Sequence, residues 1–136
     1  MDKQFSKGKD LESDLFFPQH PDEARIETIP NRWSEAHFEV TISCDEFTCI
    51  CPITAQPDYA QIHIHYIPKE YLLEAKSLKS YLASYRNVAI FHEFVVNKIR
   101  DDLTAALNPH FIEIKGDFTP RGGIKIVTIA KWGDHP

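Results

Sequence analysis

Apolar and polar residues alternate one by one in two early stretches of the chain. Phe38, Val40 and Ile42 interleave with Glu39, Thr41 and Ser43, and Ile62, Ile64 and Tyr66 interleave with Gln61, His63 and His65. A period of two predicts half-buried strands. Pro68 opens the next stretch, where Tyr71, Leu72, Leu78 and Leu82 are apolar and Glu74, Lys76 and Lys79 are charged. Proline suits a first helical turn, so an amphipathic helix is predicted from there. Phe91, Phe94, Val95, Ile99, Leu103 and Leu107 then recur at helical spacing until Asn108-Pro109 ends the run. Phe111 to Phe118 and Ile124 to Ala130 read as strands, joined through Thr119-Pro120-Arg121-Gly122-Gly123, whose glycines suit a turn with positive φ.

The order is therefore ββααββ, an α+β arrangement in which an antiparallel sheet carries both helices on one face. Such a layer leaves the other face and both sheet edges uncovered, which favours association through the edges. Residues 1–30 are charged, proline-punctuated and weakly periodic, and read as an N-terminal arm; residues 31–136 read as the domain. At 136 residues with 43% hydrophobic content, one modest core is expected. Apolar stretches fall short of a membrane span and Met1 to Asp14 is too polar for a signal peptide, so the expected compartment is the cytoplasm. A net charge of −5 works against non-specific binding to nucleic-acid backbones and directs attention to small ligands. Three cysteines, an odd count, argue for reduced thiols rather than a stapled scaffold.

The densest chemistry lies in Cys51-Pro52-Ile53-Thr54-Ala55-Gln56-Pro57-Asp58. Prolines near both ends restrict φ and remove donors, so a rigid loop that cannot continue a strand is predicted, with a thiol and a carboxyl group on it. A thiolate is a nucleophile and a nearby acid can hold the proton its target needs, but a lone cysteine is more often buried and unreactive. His63-x-His65 puts two imidazoles on one side of a strand, and Cys49 or Cys51 would complete a zinc site, although alternating histidines on a solvated strand face are ordinary. On residues alone, Lys76 and Lys79 read as solvated charges and Arg121-Gly122-Gly123 as a turn. Likewise His92 reads as a packing histidine and Glu93 as a first-turn acid favoured by the helix dipole.

Three separated segments together change these readings. They are Cys51 to Asp58; Glu74-Ala75-Lys76-Ser77-Leu78-Lys79, similar to a Glu-x-Lys-Ser-Leu-Lys signature; and Phe91-His92-Glu93, supported by Arg121-Gly122-Gly123-Ile124. In this order and spacing, over about residues 38–130, the chain resembles the single-domain NADPH-dependent nitrile reductases of queuosine biosynthesis, which convert 7-cyano-7-deazaguanine to its aminomethyl form. The resemblance implies the tunnelling fold, a homo-oligomer whose subunits join sheets into a barrel with active sites at their interfaces. It implies that Cys51 attacks the nitrile carbon to give a thioimide and that Asp58, its pKa raised by burial and the neighbouring thiolate, protonates the nitrogen. His92 and Glu93 would bind the guanine-like base, with Glu74 and the backbone of Leu73 and Ala75 reinforcing that grip, and His92 would also relay a proton. Ala75, Lys76, Arg121 and Gly122 would hold NADPH in a surface groove, since the chain carries no Gly-x-Gly-x-x-Gly fingerprint. The reaction needs no metal. Ala55 stands where this family usually has glycine, Ala75 where serine or leucine is frequent, and Ser80 where a larger residue often follows the signature. Two other readings sit beside this one: a zinc-dependent cyclohydrolase-like enzyme on the same architecture, and a non-catalytic module that binds a guanine-like base.

Overall fold

The computed structural model describes residues 17–135. Four antiparallel strands, β2 (Val40–Ile50), β3 (Pro57–Ile67), β5 (Phe111–Phe118) and β6 (Val127–Gly133), form one sheet in the order β2-β3-β5-β6. A second, two-stranded sheet pairs β1 (Thr28–Pro30) with β4 (Tyr71–Leu73). Helices α1 (Ala75–Ala83) and α2 (His92–Leu107) lie on one face of the larger sheet. Val95, Val96, Ile99, Leu103 and Leu107 of α2 and Leu78, Tyr81 and Leu82 of α1 share one core with Ile62, Ile64, Tyr66, Ile112 and Ile114. Gly116 marks the closest approach of this layer: a Cβ built there would lie 2.6 Å from Val96 Cγ2.

The period-two pattern does locate the first strands, but they run further than Phe38–Ser43 and Gln61–Tyr66. A β-bulge between Cys44 and Phe47 inserts one extra residue opposite β3. Inward positions are Val40, Ile42 and Cys44 before it and Phe47 and Cys49 after it, so the parity of the alternation changes within one strand. Pro57 is the first residue of β3, where a missing donor is tolerated, and Asp58 therefore sits on a strand, not on the turn expected for it.

Three further expectations are corrected. Tyr71 and Leu72 belong to β4, not to a helix opened by Pro68, because residues 71–73 find backbone partners in β1. The helix begins only at Ala75, after Glu74 caps it. Phe91 and Phe94 are not core residues: Phe91 is the N-cap of α2, and the two rings are 42% and 63% exposed and meet edge-on at 5.7 Å. The last strand starts at Val127, since Arg121 to Ile124 close a tight turn first. By contrast, Asn108 ends α2 in the left-handed conformation (φ 45°), as its place after the last apolar residue implies.

Among the described residues edge strand β6 has no second partner and edge strand β2 has only the bridge of its last residue, Ile50, to Ala89, and the face away from the helices is open. That face is polar over Thr41, Ser43, Gln61, His63 and Lys115 and apolar at Val127 and Ile129. No helix among the described residues is long and apolar enough to cross a membrane.

Candidate active site

Cys51 follows β2 and closes the β2–β3 hairpin. Its N–H donates to Gln56 O (2.9 Å) and its carbonyl accepts from Ala55 N–H (2.9 Å). Closing the loop this tightly puts Ala55 at φ 59°. A residue with a Cβ is disfavoured there by about 1–2 kcal/mol, which gives a physical reason for the glycine usual at this point in the resembling sequences. The Cys51 thiol is drawn below its ordinary pKa by a hydrogen bond from the Thr54 side chain, and then by the backbone N–H groups of Thr54 and Ile53; burial and the Asp58 charge oppose this. Cys49 has the opposite fate. It is fully buried on the core face, and desolvation, helped by the charges of Asp58 and Cys51, pushes its thiol up to about 12. All three cysteines are free thiols.

Asp58 lies opposite Cys49 in the ladder and is 4% exposed. Its Oδ2 is 3.1 Å from His92 Nε2 and its Oδ1 is 3.2 Å from Arg121 Nη1. The Arg121 approach is an ion pair without hydrogen-bond alignment, so Oδ1 retains accepting capacity, and His92 Nδ1 is likewise buried without a partner. Asp58 and His92 both line one cavity, and buried polar atoms without partners are uncommon outside functional sites. The expected neighbour of Asp58 was the thiolate alone; the folded chain adds a cation and an imidazole. His92 is held flat against Phe118, with ring centres 3.8 Å apart and planes 4° apart.

Arg121 reaches this place from the turn between β5 and β6. Arg121 and Ile124 exchange backbone hydrogen bonds of 3.0 Å, and Gly122 and Gly123 between them have φ of 57° and 78°, a turn that side chains with a Cβ resist. Arg121 Nη2 donates to Gln56 Oε1 (2.9 Å) and Nη1 to Thr54 Oγ1 (3.5 Å), so one guanidinium ties the turn to the loop that carries Cys51. Cys51, Asp58, Phe91, His92, Glu93 and Arg121 line a single cavity of about 290 Å³, closed on its apolar side by Pro52, Ile124 and Ile126.

Leu73, Glu74, Ala75 and Lys76 are elsewhere. Glu74 is the N-cap of α1, its two oxygens accepting from Lys76 N–H (2.7 Å) and Ser77 N–H (2.8 Å), and these bonds hold its carboxyl below the ordinary range. Leu73 is buried and donates its N–H to Tyr66 Oη (3.0 Å). Glu74 and Lys76 line a separate cavity of about 500 Å³ with Arg25, Glu27 and Ser77. Within one chain, then, the expected site residues form two groups. The zinc combination does not assemble: His63 and His65 lie on the open face, where they meet Ser43 and Glu39, while Cys49 points into the core.

Sequence reasoning missed Thr54, Gln56 and Phe118. A hydroxyl three residues after the cysteine was the available signal for Thr54; nothing local marks Phe118, which reaches His92 through the β3–β5 pairing. Replacing Thr54 by valine removes the largest influence on the Cys51 thiol. Alkylation of Cys51 by iodoacetamide, followed by mass spectrometry against pH, is expected to show its midpoint moving to higher pH in the variant.

Residues 57–136 match the QueF family, described as QueF-like protein. The NADPH-dependent 7-cyano-7-deazaguanine reductase of Anaeromyxobacter sp. (strain K) is 51% identical over 111 residues, 82% of this chain and 91% of that protein. The enzyme of the same name from Syntrophus aciditrophicus (strain SB) is 50% identical over 108 residues, 79% of this chain and 77% of that protein. Among solved structures, the archaeosine synthase QueF-Like in its apo form superposes with a TM-score of 0.64 at 23% identity, covering 74% of this chain and 96% of the other, and so shares the fold. With more than half of the chain matching the family and half of the aligned residues shared with the curated relatives, the chain belongs to the QueF-like family.

Proposed function

We propose that this chain is an NADPH-dependent 7-cyano-7-deazaguanine reductase that yields the aminomethyl product through a thioimide on Cys51. The observation that carries the chemistry is the cavity in which a thiol drawn toward its thiolate shares space with a buried Asp58–His92 pair. The Cys51 thiolate adds to the nitrile carbon, forming the C–S bond as one C–N π bond breaks. The electron pair moves to nitrogen, and the Asp58–His92 pair supplies the proton that neutralises it. NADPH, when bound, supplies the two hydrides that take this carbon to the amine level. Release of Cys51 as thiolate between them frees an imine, which the apolar wall of Pro52, Phe91, Ile124 and Ile126 shields from water. Each proton taken up passes across the same 3.1 Å Asp58–His92 contact. Glu93 and the unpaired His92 Nδ1 are the polar groups that fix the guanine-like base.

The residues present fit a phosphate-bearing cofactor. Arg121 is a partly exposed cation at the cavity, Gly122 leaves open space for close backbone approach, and the larger cavity offers Lys76 and Arg25 among Glu23, Glu27 and Glu74. Division of the site residues between two cavities, together with sheet edges left unpaired along β6 and along most of β2, supports a homo-oligomeric barrel in which Cys51, Asp58, His92 and Glu93 of one subunit meet Leu73, Glu74, Ala75 and Lys76 of another. Such an enzyme works in the cytoplasm on a free base, with no direct contact to nucleic acid or membrane. The test is stoichiometric. Purified protein given the nitrile is expected to oxidise about two NADPH for each amine formed, counted by absorbance and mass spectrometry. Hydrolysis of the nitrile without NADPH oxidation would overturn the reading.

A further inference from the structure

We propose that Glu39, His65 and His135 form a divalent-metal site of the zinc class on the open face of the sheet. A carboxylate oxygen and two imidazole nitrogens from these residues all lie within 4.8 Å of one another. His65 Nε2 contacts Glu39 Oε1 directly, and His135 Nε2 is 3.7 Å from the same oxygen. At ordinary zinc–nitrogen and zinc–oxygen distances of about 2.0–2.2 Å, neighbouring ligands of a tetrahedral ion are roughly 3.3–3.5 Å apart. The spacing is thus within small side-chain movements of a coordination sphere.

The electrostatics point the same way. In the Nδ1–H tautomer both Nε2 lone pairs and the carboxylate oxygen converge as ligands for a cation, which would replace the Nε2–H hydrogen bond that a neutral His65 otherwise donates to Glu39. Both rings are oriented toward the carboxylate by one aromatic neighbour: Phe111 meets His65 edge-on at 5.7 Å and His135 edge-on at 4.7 Å. Three protein ligands of this composition, two histidines and one carboxylate, suit zinc with a fourth position left for water.

The three ligands come from the approach to β2, the C-terminal end of β3 and the segment after β6, so an ion would fasten residues 134–135 across the sheet. His65 is seven residues along β3 from Asp58, roughly 23 Å at ~3.3 Å per residue, and it faces the opposite side of the sheet. The ion is therefore structural and takes no part in nitrile reduction.

The test uses chelator-stripped full-length protein titrated with Zn²⁺ by calorimetry, with Co²⁺ as an optical probe. The expected result is one ion per chain, a cobalt spectrum with d–d bands but no thiolate charge-transfer band, and a melting temperature that rises with Zn²⁺. His135→Gln and His65→Gln are each expected to weaken binding on the order of tenfold or more and to remove the thermal shift, while turnover stays unchanged. His135→Gln alters an exposed residue near the chain end, so its folding is not at issue. Absence of metal uptake, uptake unaltered in both variants, or a thiolate cobalt spectrum would each overturn the site.

Discussion

Replacing Cys51 by alanine is expected to abolish nitrile reduction, with a loss of roughly 10³-fold or more in kcat, and to eliminate the covalent adduct seen by intact-protein mass spectrometry after incubation with the nitrile. The magnitude follows from chemistry: without sulfur there is no thioimide, and a bare nitrile is a poor hydride acceptor. The lesion is local. Cys51 is only partly buried and contributes no packing comparable to that of Cys49, so the variant is expected to keep its melting temperature within about 0.5 kcal/mol of stability. Cys49→Ala makes the useful contrast. It removes a fully buried sulfur from the core and is expected to lower stability, while the remaining folded protein still forms the adduct. If Cys51→Ala kept full turnover, or if the adduct mapped to Cys49 or Cys44, the nucleophile would be wrongly assigned.

What the sequence disclosed and what it hid divide along physical lines. Phe111–Phe118 is read correctly to the residue because its alternation is bounded by Asn108-Pro109 on one side and Thr119-Pro120 on the other. The end of α2 is legible for the same reason: Asn tolerates the left-handed conformation that stops a helix. Tyr71–Leu73 was misread because a three-residue strand has no period of its own and owes its conformation to β1, more than forty residues earlier. Phe91 and Phe94 fit a helical stripe numerically, yet the core face of α2 is set by Val95, Val96, Ile99, Leu103 and Leu107, leaving the two rings at the mouth of the Cys51 cavity or in solvent. The bulge before Phe47 leaves one trace in the alternation, the adjacent polar pair Asp45-Glu46, and the pairing with β3 identifies it as one extra residue. In the site, the resemblance named the candidate reacting groups, but the pairing of Asp58 with both Arg121 and His92 depends on three elements meeting in space.

Two separately defective variants are expected to restore one another. Cys51→Ala lacks the nucleophile. Glu74→Gln keeps a carbonyl oxygen to cap α1 but loses its charge, and is expected to cost on the order of 10- to 100-fold in kcat/KM if the carboxylate holds the base, since hydrogen bonds to charged groups contribute about 1.5–3 kcal/mol. Cys51 and Glu74 line different cavities that share no lining residue, and under the proposed barrel a site containing both draws them from different copies of the chain. Random co-assembly of the two variants in equal amounts then gives about a quarter of the sites an intact Cys51 half and an intact Glu74 half. Activity of the mixture should rise toward a quarter of the unmodified protein, well above the mean of the two parents. Native mass spectrometry is the check that mixed assemblies form. Mixed assemblies with no gain in turnover would mean that each chain completes its own site, and the two-subunit site would have to be abandoned while the Cys51 chemistry stood. The N-terminus of α1 is tied to the segment before β1 by the β4–β1 pairing, by Glu74 N–H donating to Glu27 O and by Glu27 N–H donating to Ser77 Oγ, so movement of this helix toward the hairpin that carries Cys51 would give up those bonds.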